Sequence, residues 1–208
     1  MAGSTLHRVV IAGLLGAWGL SVTIGMLLMG AYAASPGDAG SVPARWPAGG
    51  AVRLDGRRPT LLIFLHPRCP CSRASLDELS MILDRCGDRV SAHAVVFRPH
   101  PEQEDWVASA FEAVLAEIPS LVVHPDRGGD EARRYGVTTS GHVLLFDTRG
   151  NLIFSGGITP GRGERGDGAS RAALLGRIRG QSREGPEPPV FGCSLRTPRP
   201  ARDSGRPR

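Results

Sequence analysis

The stretch that most constrains this chain is Leu61-Leu62-Ile63-Phe64-Leu65, an unbroken apolar run closed by Pro67. A short run of this kind, apolar on both alternating sides, is the pattern of a fully buried central strand. His66-Pro67-Arg68-Cys69-Pro70-Cys71-Ser72 follows, and then Leu76, Leu79, Ile82, Leu83 and Cys86 recur at helix spacing. Pro70 suits a first helical position, where its missing N–H would be unpaired anyway. Ser72 with Ser75, and Ser75 with Glu78, add start signals. The sequence therefore predicts two cysteines where a buried strand turns into a helix.

That location has chemical content. Unpaired N–H groups and the helix dipole favour a thiolate over a thiol, and Arg68 supplies a neighbouring positive charge. A thiolate attacks disulfides and binds soft metals. Cys86 lies on the apolar helix face and reads as an inert buried thiol. The fourth cysteine, Cys193, stands in Val190-Phe191-Gly192-Cys193, an apolar patch in a polar tail that reads as a docking point. Four cysteines are too few for a disulfide scaffold.

Residues 1–8 precede an uncharged run from Val9 to Ala34, long enough to span a bilayer as a helix. Its length exceeds the roughly 7–15 residues of a signal-peptide core, which favours an anchor over 9–33. The competing reading is a cleaved signal with Ala31-Tyr32-Ala33 as its site. Arg8 before the run places the N-terminus in the cytoplasm. In a bacterium the remainder then faces the periplasm from the inner membrane, where cysteine pairs can be oxidised.

Residues 34–58 are rich in Gly, Pro and Ala and read as a flexible linker, with Ala51 to Leu54 as a candidate edge strand. The folded domain is expected over 59–180. Its strands are predicted at Val90–Phe97, Leu121–His124, Val143–Phe146 and Leu152–Phe154, with Pro125 to Asp130 as a turn. Helices are predicted at Trp106–Ile118, Glu131–Tyr135 and Ala169–Ile178, and a polar loop at Arg98–Asp105. The Gly/Arg stretch from Thr159 to Gly168 lacks the order of a phosphate loop. The Pro- and Arg-rich tail, 181–208, reads as disordered outside the Val190–Cys193 patch. Strands alternating with helices, then a hairpin and a last helix, give an α/β domain: a central mixed sheet with helices on both faces.

Lysine is absent, so all 25 basic residues are arginine, and the net charge of +5 is concentrated from Arg162 onward. With aromatics at 5 % and none among the tail arginines, nucleic-acid binding is not expected.

The strand, cysteine turn and helix resemble the active-site corner of the thioredoxin superfamily. Tyr135 to Asp147 resembles that fold's approach to its fourth strand, and Asp147-Thr148-Arg149-Gly150-Asn151 the hairpin after it. More narrowly, HPRCPCSRAS, TSGHVLLFD, FSGGIT and VFGC resemble membrane-anchored bacterial thioredoxin-like proteins of the RedB type. The resemblance implies a thioredoxin-like fold and thiol–disulfide exchange with protein clients or a redox partner. Cys69 would be the more exposed, attacking cysteine. Two departures stand out. The pair is Cys-x-Cys, not Cys-x-x-Cys, and Gly141 stands where the family has a cis-proline facing the cysteines.

The residues leave several chemistries open. Cys71 is one resolving partner for Cys69, although a bridge between positions two apart invites strain, and strained disulfides are easily reduced. Such a bridge predicts oxidant or isomerase character. Cys193 is the other resolving partner if the tail folds back. A copper carrier is the alternative, with Cys69 and Cys71 joined by His66 or His142 as a soft ligand set. Gly141, lacking a ring and a Cβ, then predicts a trans peptide and an open pocket between Cys69, Cys71 and His142. A third class is a non-catalytic membrane-tethered adaptor.

Overall fold

The computed structural model describes residues 2–99, 109–181 and 186–195. Two compact units divide the chain, one ending at Ser35 and the other beginning at Pro36. The first is a single helix, α1 (Ala2–Ala34). Its stretch His7–Ala34 spans 28 residues at a mean hydropathy of 1.9, long and apolar enough to cross a membrane.

The second unit is built on a five-stranded mixed sheet. Its strands are β1 (Thr60–Leu65), β2 (Ser91–Arg98), β3 (Leu121–Arg127), β4 (His142–Phe146) and β5 (Leu152–Gly156), in the order β3-β2-β1-β4-β5. β1 pairs parallel with β2 and antiparallel with β4, so the buried run holds the middle of the sheet as expected. Every β1 residue is buried. Alternate residues serve the two faces. Leu61, Ile63 and Leu65 pack with Ala94, Val96 and Val143 against α2 (Pro70–Cys86), α3 (Ser109–Ala116) and α5 (Ala169–Ile178). Leu62 and Phe64 face the other way with Phe97, Leu144, Phe146 and Tyr135, next to the short α4 (Asp130–Arg134).

Three sequence expectations change. β3 runs on through Pro125 to Arg127 where a turn was expected. Among the described residues β3 has a neighbour on one side only, and an edge strand tolerates a residue without an N–H. Residues 51–54 form no strand; an isolated bridge between Arg45 and Asn151 replaces it. The stretch read as a flexible linker lies on the domain from Gly37 onward. The Ser41 N–H donates to the Gly136 carbonyl (3.0 Å), Trp46 packs edge-on against Tyr135 and Phe146, and Val52 is buried. Its apolar residues outweigh its Gly and Pro content. Of the expected helix 106–118, Ser109–Ala116 is helical. Its first three residues, the polar loop beyond Pro99, and the tail after Leu195 lie outside the described residues.

α5 and the loop before it are fixed to α2 through a buried carboxylate. Glu78 accepts from Arg171 (2.7 Å) and from the Gly166 N–H (2.7 Å), and both charged side chains are almost fully buried. Asp167 also pairs with Arg171. Within the stretch Thr159–Gly168, the Gly166 N–H is thus committed to a protein carboxylate. Removing one partner of a buried pair strands the other, at about 3–5 kcal/mol. Arg171→Ala should therefore lower unfolding stability by that order in denaturant melts. The double variant Glu78→Gln/Arg171→Met should recover part of the loss.

Candidate functional site

Cys69 and Cys71 stand at the C-terminal end of β1 and the start of α2, with Pro70 the first helical residue as the sequence indicated. The turn is tied by a knot of hydroxyls. Ser72 Oγ donates to the His66 carbonyl (2.8 Å) and lies 2.8 Å from Ser140 Oγ, which accepts the His66 N–H at 2.9 Å. The Gly141 N–H donates to the Phe64 carbonyl (2.7 Å). The end of β1, the start of α2 and the approach to β4 thus meet on two serines. Sequence reading treated Ser72 as a helix start signal and passed over Ser140; the signal for it was a run of hydroxyls, Thr138-Thr139-Ser140, against an otherwise apolar strand.

The tail completes the site. The Cys193 N–H donates to Cys69 Sγ at 3.3 Å, and the Cys193 carbonyl accepts from the Ser140 N–H at 2.8 Å. All four cysteines are free thiols. Burial pushes the Cys69 thiol up, but the Cys193 thiol and N–H and the N–H groups of Cys71 and Ser72 outweigh it, so its pKa lies below the ordinary thiol value. Cys71 is raised, by burial first and then by Cys69. Cys193 is pushed up to about 12, by burial first and then by its hydrogen bond to Cys69. Of the three thiols, Cys69 is therefore the one whose ionised form its surroundings favour. Cys86 is buried on the α2 face and raised by that burial.

Several expected site features take different forms. Cys69 is not the more exposed of the pair: it is 4 % exposed against 7 % for Cys71, and the Cys193 N–H rests on its sulfur. Arg68 is exposed, and its charge bears on His66, whose pKa burial and then Arg68 hold down. The cation that stabilises negative charge at Cys71 and Cys193 is Arg162, which donates to the Gly192 carbonyl (2.8 Å). Gly141 opens no pocket. Its φ of +86° is the left-handed region, and a Cβ there would stand 2.8 Å from Ser75 Oγ and 3.4 Å from the Phe191 carbonyl.

The ligand set of the copper reading is not brought together. His142 pairs with Phe64 across the sheet, on the face away from α2, and bonds Ser155 Oγ at 2.9 Å. Burial holds its pKa down to about 4, against a smaller opposing effect of the Ala39 backbone. The His66 ring stacks on Phe97, and its Nδ1 accepts the Arg68 N–H at 3.2 Å. Among the described residues, no group of three or more His, Cys, Asp or Glu side chains is placed to hold a metal ion.

No protein-family model matches the chain, and no curated protein matches it. Solved structures do. An uncharacterised conserved protein from Geobacillus kaustophilus superposes with a TM-score of 0.58 at 18 % identity, over 80 % of this chain and 94 % of that one. A hypothetical protein from Sinorhizobium meliloti gives 0.56 at 19 %, over 79 % and 96 %. A secreted Mycobacterium tuberculosis disulfide oxidoreductase, homologous to E. coli DsbE, aligns over 61 % of this chain and 84 % of its own at 19 % identity. Its TM-score of 0.43 is too low to bear on activity. The chain has a thioredoxin-like fold. In this thioredoxin-like domain the cysteine turn follows the central strand, and β4 and β5 form the antiparallel half of the sheet.

Two measurements test the site's physics. Ser140→Ala leaves the half-buried His66 N–H without its acceptor, and should cost about 1 kcal/mol in denaturant melts. The second concerns His142. Neutral in the fold down to about pH 4 and titrating near 6.5 when unfolded, it binds its proton first in the unfolded chain. Stability should therefore fall as pH drops from 6.5 toward 4. His142→Asn should flatten that fall in thermal melts.

Proposed function

We propose that this chain is a membrane-tethered thiol–disulfide oxidoreductase of the extracytoplasmic side, with Cys69 as its attacking thiolate. The observation that carries the reading is the Cys69 sulfur. The Cys193 N–H donates to it at 3.3 Å, its thiolate form is favoured by that and other N–H groups and by the Cys193 thiol, and Cys71 and Cys193 lie beside it. A low thiol pKa in a site with a neighbouring cysteine is the arrangement that exchange chemistry needs.

The exchange runs in two displacements. Cys69 thiolate attacks one sulfur of a client disulfide, forming a mixed disulfide and releasing the client's other sulfur as a thiolate. A second cysteine of this chain then attacks Cys69 Sγ and releases the remaining client sulfur. Two electrons pass to the client, and the two thiol protons lost by this chain end on the client's thiols. The same steps reversed oxidise a client dithiol.

The tether is supported by the 28-residue apolar stretch His7–Ala34, and the compartment by the need of a cysteine pair for an oxidising environment. The RedB-type likeness of HPRCPCSRAS and VFGC points the same way. Protein thiol or disulfide clients are the partners this chemistry implies.

Cys69→Ser should abolish disulfide exchange with a peptide substrate, in either direction, while Cys86→Ser leaves it unchanged. Exchange that survives in Cys69→Ser would remove the reading. The full-length protein should also stay with the membrane fraction after carbonate extraction; a soluble mature form beginning near Ala34 would show a cleaved signal instead.

A further inference from the structure

The segment from Pro188 to Leu195 is laid into the site and held there through its backbone. The Gly157 N–H donates to the Pro188 carbonyl (3.3 Å), Gly37 to Val190 (2.8 Å), Ser140 to Cys193 (2.8 Å), and Leu195 returns a bond to Thr138 (2.8 Å). Thr139 and Ser194 form an antiparallel bridge. Val190, Phe191 and Leu195 are buried, the last within the Phe64–Tyr135 side of the core.

The glycines on both sides of this contact are cleared for it. A Cβ on Gly156 would lie 2.6 Å from the Pro188 carbonyl, on Gly157 2.3 Å from that of Pro189, and on Gly192 1.9 Å from that of Ser140. Contacts below about 3 Å are absent from real Cβ atoms, so side chains at these positions would force the strand off. The strand delivers one cysteine, and it delivers it to Cys69.

We propose that residues 188–195 are a built-in occupant of the thiol site, a strand of this chain lying where an extended cysteine-bearing client would lie, and that a Cys69–Cys193 disulfide latches it there. The proposal rests on Cys69 being the exchange thiolate. Pairing through backbone groups is indifferent to side chains, so the edge of Thr138–Ser140 that holds this tail is equally able to hold another extended chain. A client competes with the tail for that edge. After Cys69 has formed a mixed disulfide, the Cys193 sulfur attacks Cys69 Sγ, the bond from Cys69 to the client sulfur breaks, and the leaving client thiolate takes up the proton that Cys193 gives up. The new bond closes the tail over Cys69, and Cys71 remains a thiol. The client disulfide is the oxidant, and a dithiol reductant reopens the latch.

The test uses the detergent-solubilised full chain. Wild type and Cys71→Ser are oxidised with excess peptide disulfide, alkylated, digested without reduction and mapped by mass spectrometry. The expected product in both is a Cys69–Cys193 linkage. A Cys69–Cys71 linkage in wild type, with Cys71→Ser stopping at a Cys69–peptide adduct, would overturn the latch and leave the exchange reading standing. No linkage and no adduct in any form would overturn both.

Gly192→Val provides the second arm. Displacing the strand should speed alkylation of Cys69 by about tenfold or more, since access no longer waits on a local opening. It should also abolish hydrogen-exchange protection at the Ser140 and Leu195 amides. Cys193→Ser, which keeps the backbone bonds, should retain that protection while losing the linkage. Unchanged alkylation in Gly192→Val would show that the tail is not what covers Cys69.

Discussion

The site depends on one serine. Ser140 accepts the His66 N–H, contacts the Ser72 hydroxyl and donates its own N–H to Cys193. Each of those partners belongs to a different piece of chain: the end of β1, the start of α2 and the returning tail. Buried polar groups without partners are expensive, so a network this connected tolerates few alternative arrangements. The position of Cys69 follows from it, because the turn carrying the cysteine is closed at both ends by Ser72 and His66.

The central architecture was legible because it rests on periodicity. The run at β1, the helix spacing of α2 and the limits of α5 follow from which residues must be hidden. Two of the readings that changed were made from Gly and Pro content alone. Pro125 ends nothing, because an edge strand has no neighbour waiting for its missing N–H. The stretch after Ala34 is not a free tether, because Trp46 and Val52 find an aromatic surface on Tyr135 and Phe146. Composition describes how easily a segment bends, whereas burial of a few apolar side chains decides whether it stays free.

The site was legible in part. Its two turn cysteines came from the strand–helix junction, and Cys193 from an apolar patch in a polar tail. What one dimension could not supply was adjacency. Arg68 neighbours Cys69 in sequence, yet Arg162, placed by the loop before α5, bears on Cys71 and Cys193. His142 neighbours Gly141, yet successive strand residues point to opposite faces, so it serves the far side of the sheet. Gly141 reads in sequence as a vacancy. In the fold it marks a place where Ser75 and Phe191 come too close for a Cβ.

The contact between Cys69 and Cys193 also makes the tail an electrostatic partner of the site. The docked strand lowers the pKa of Cys69, while Cys69 raises that of Cys193. By linkage, ionising Cys69 strengthens the hold of the docked segment and ionising Cys193 beside it weakens that hold, with the Arg162 charge opposing the second effect. Reciprocally, whatever loosens the strand returns Cys69 toward an ordinary thiol. Covering the Cys69 sulfur and favouring its ionised form are then a single physical event.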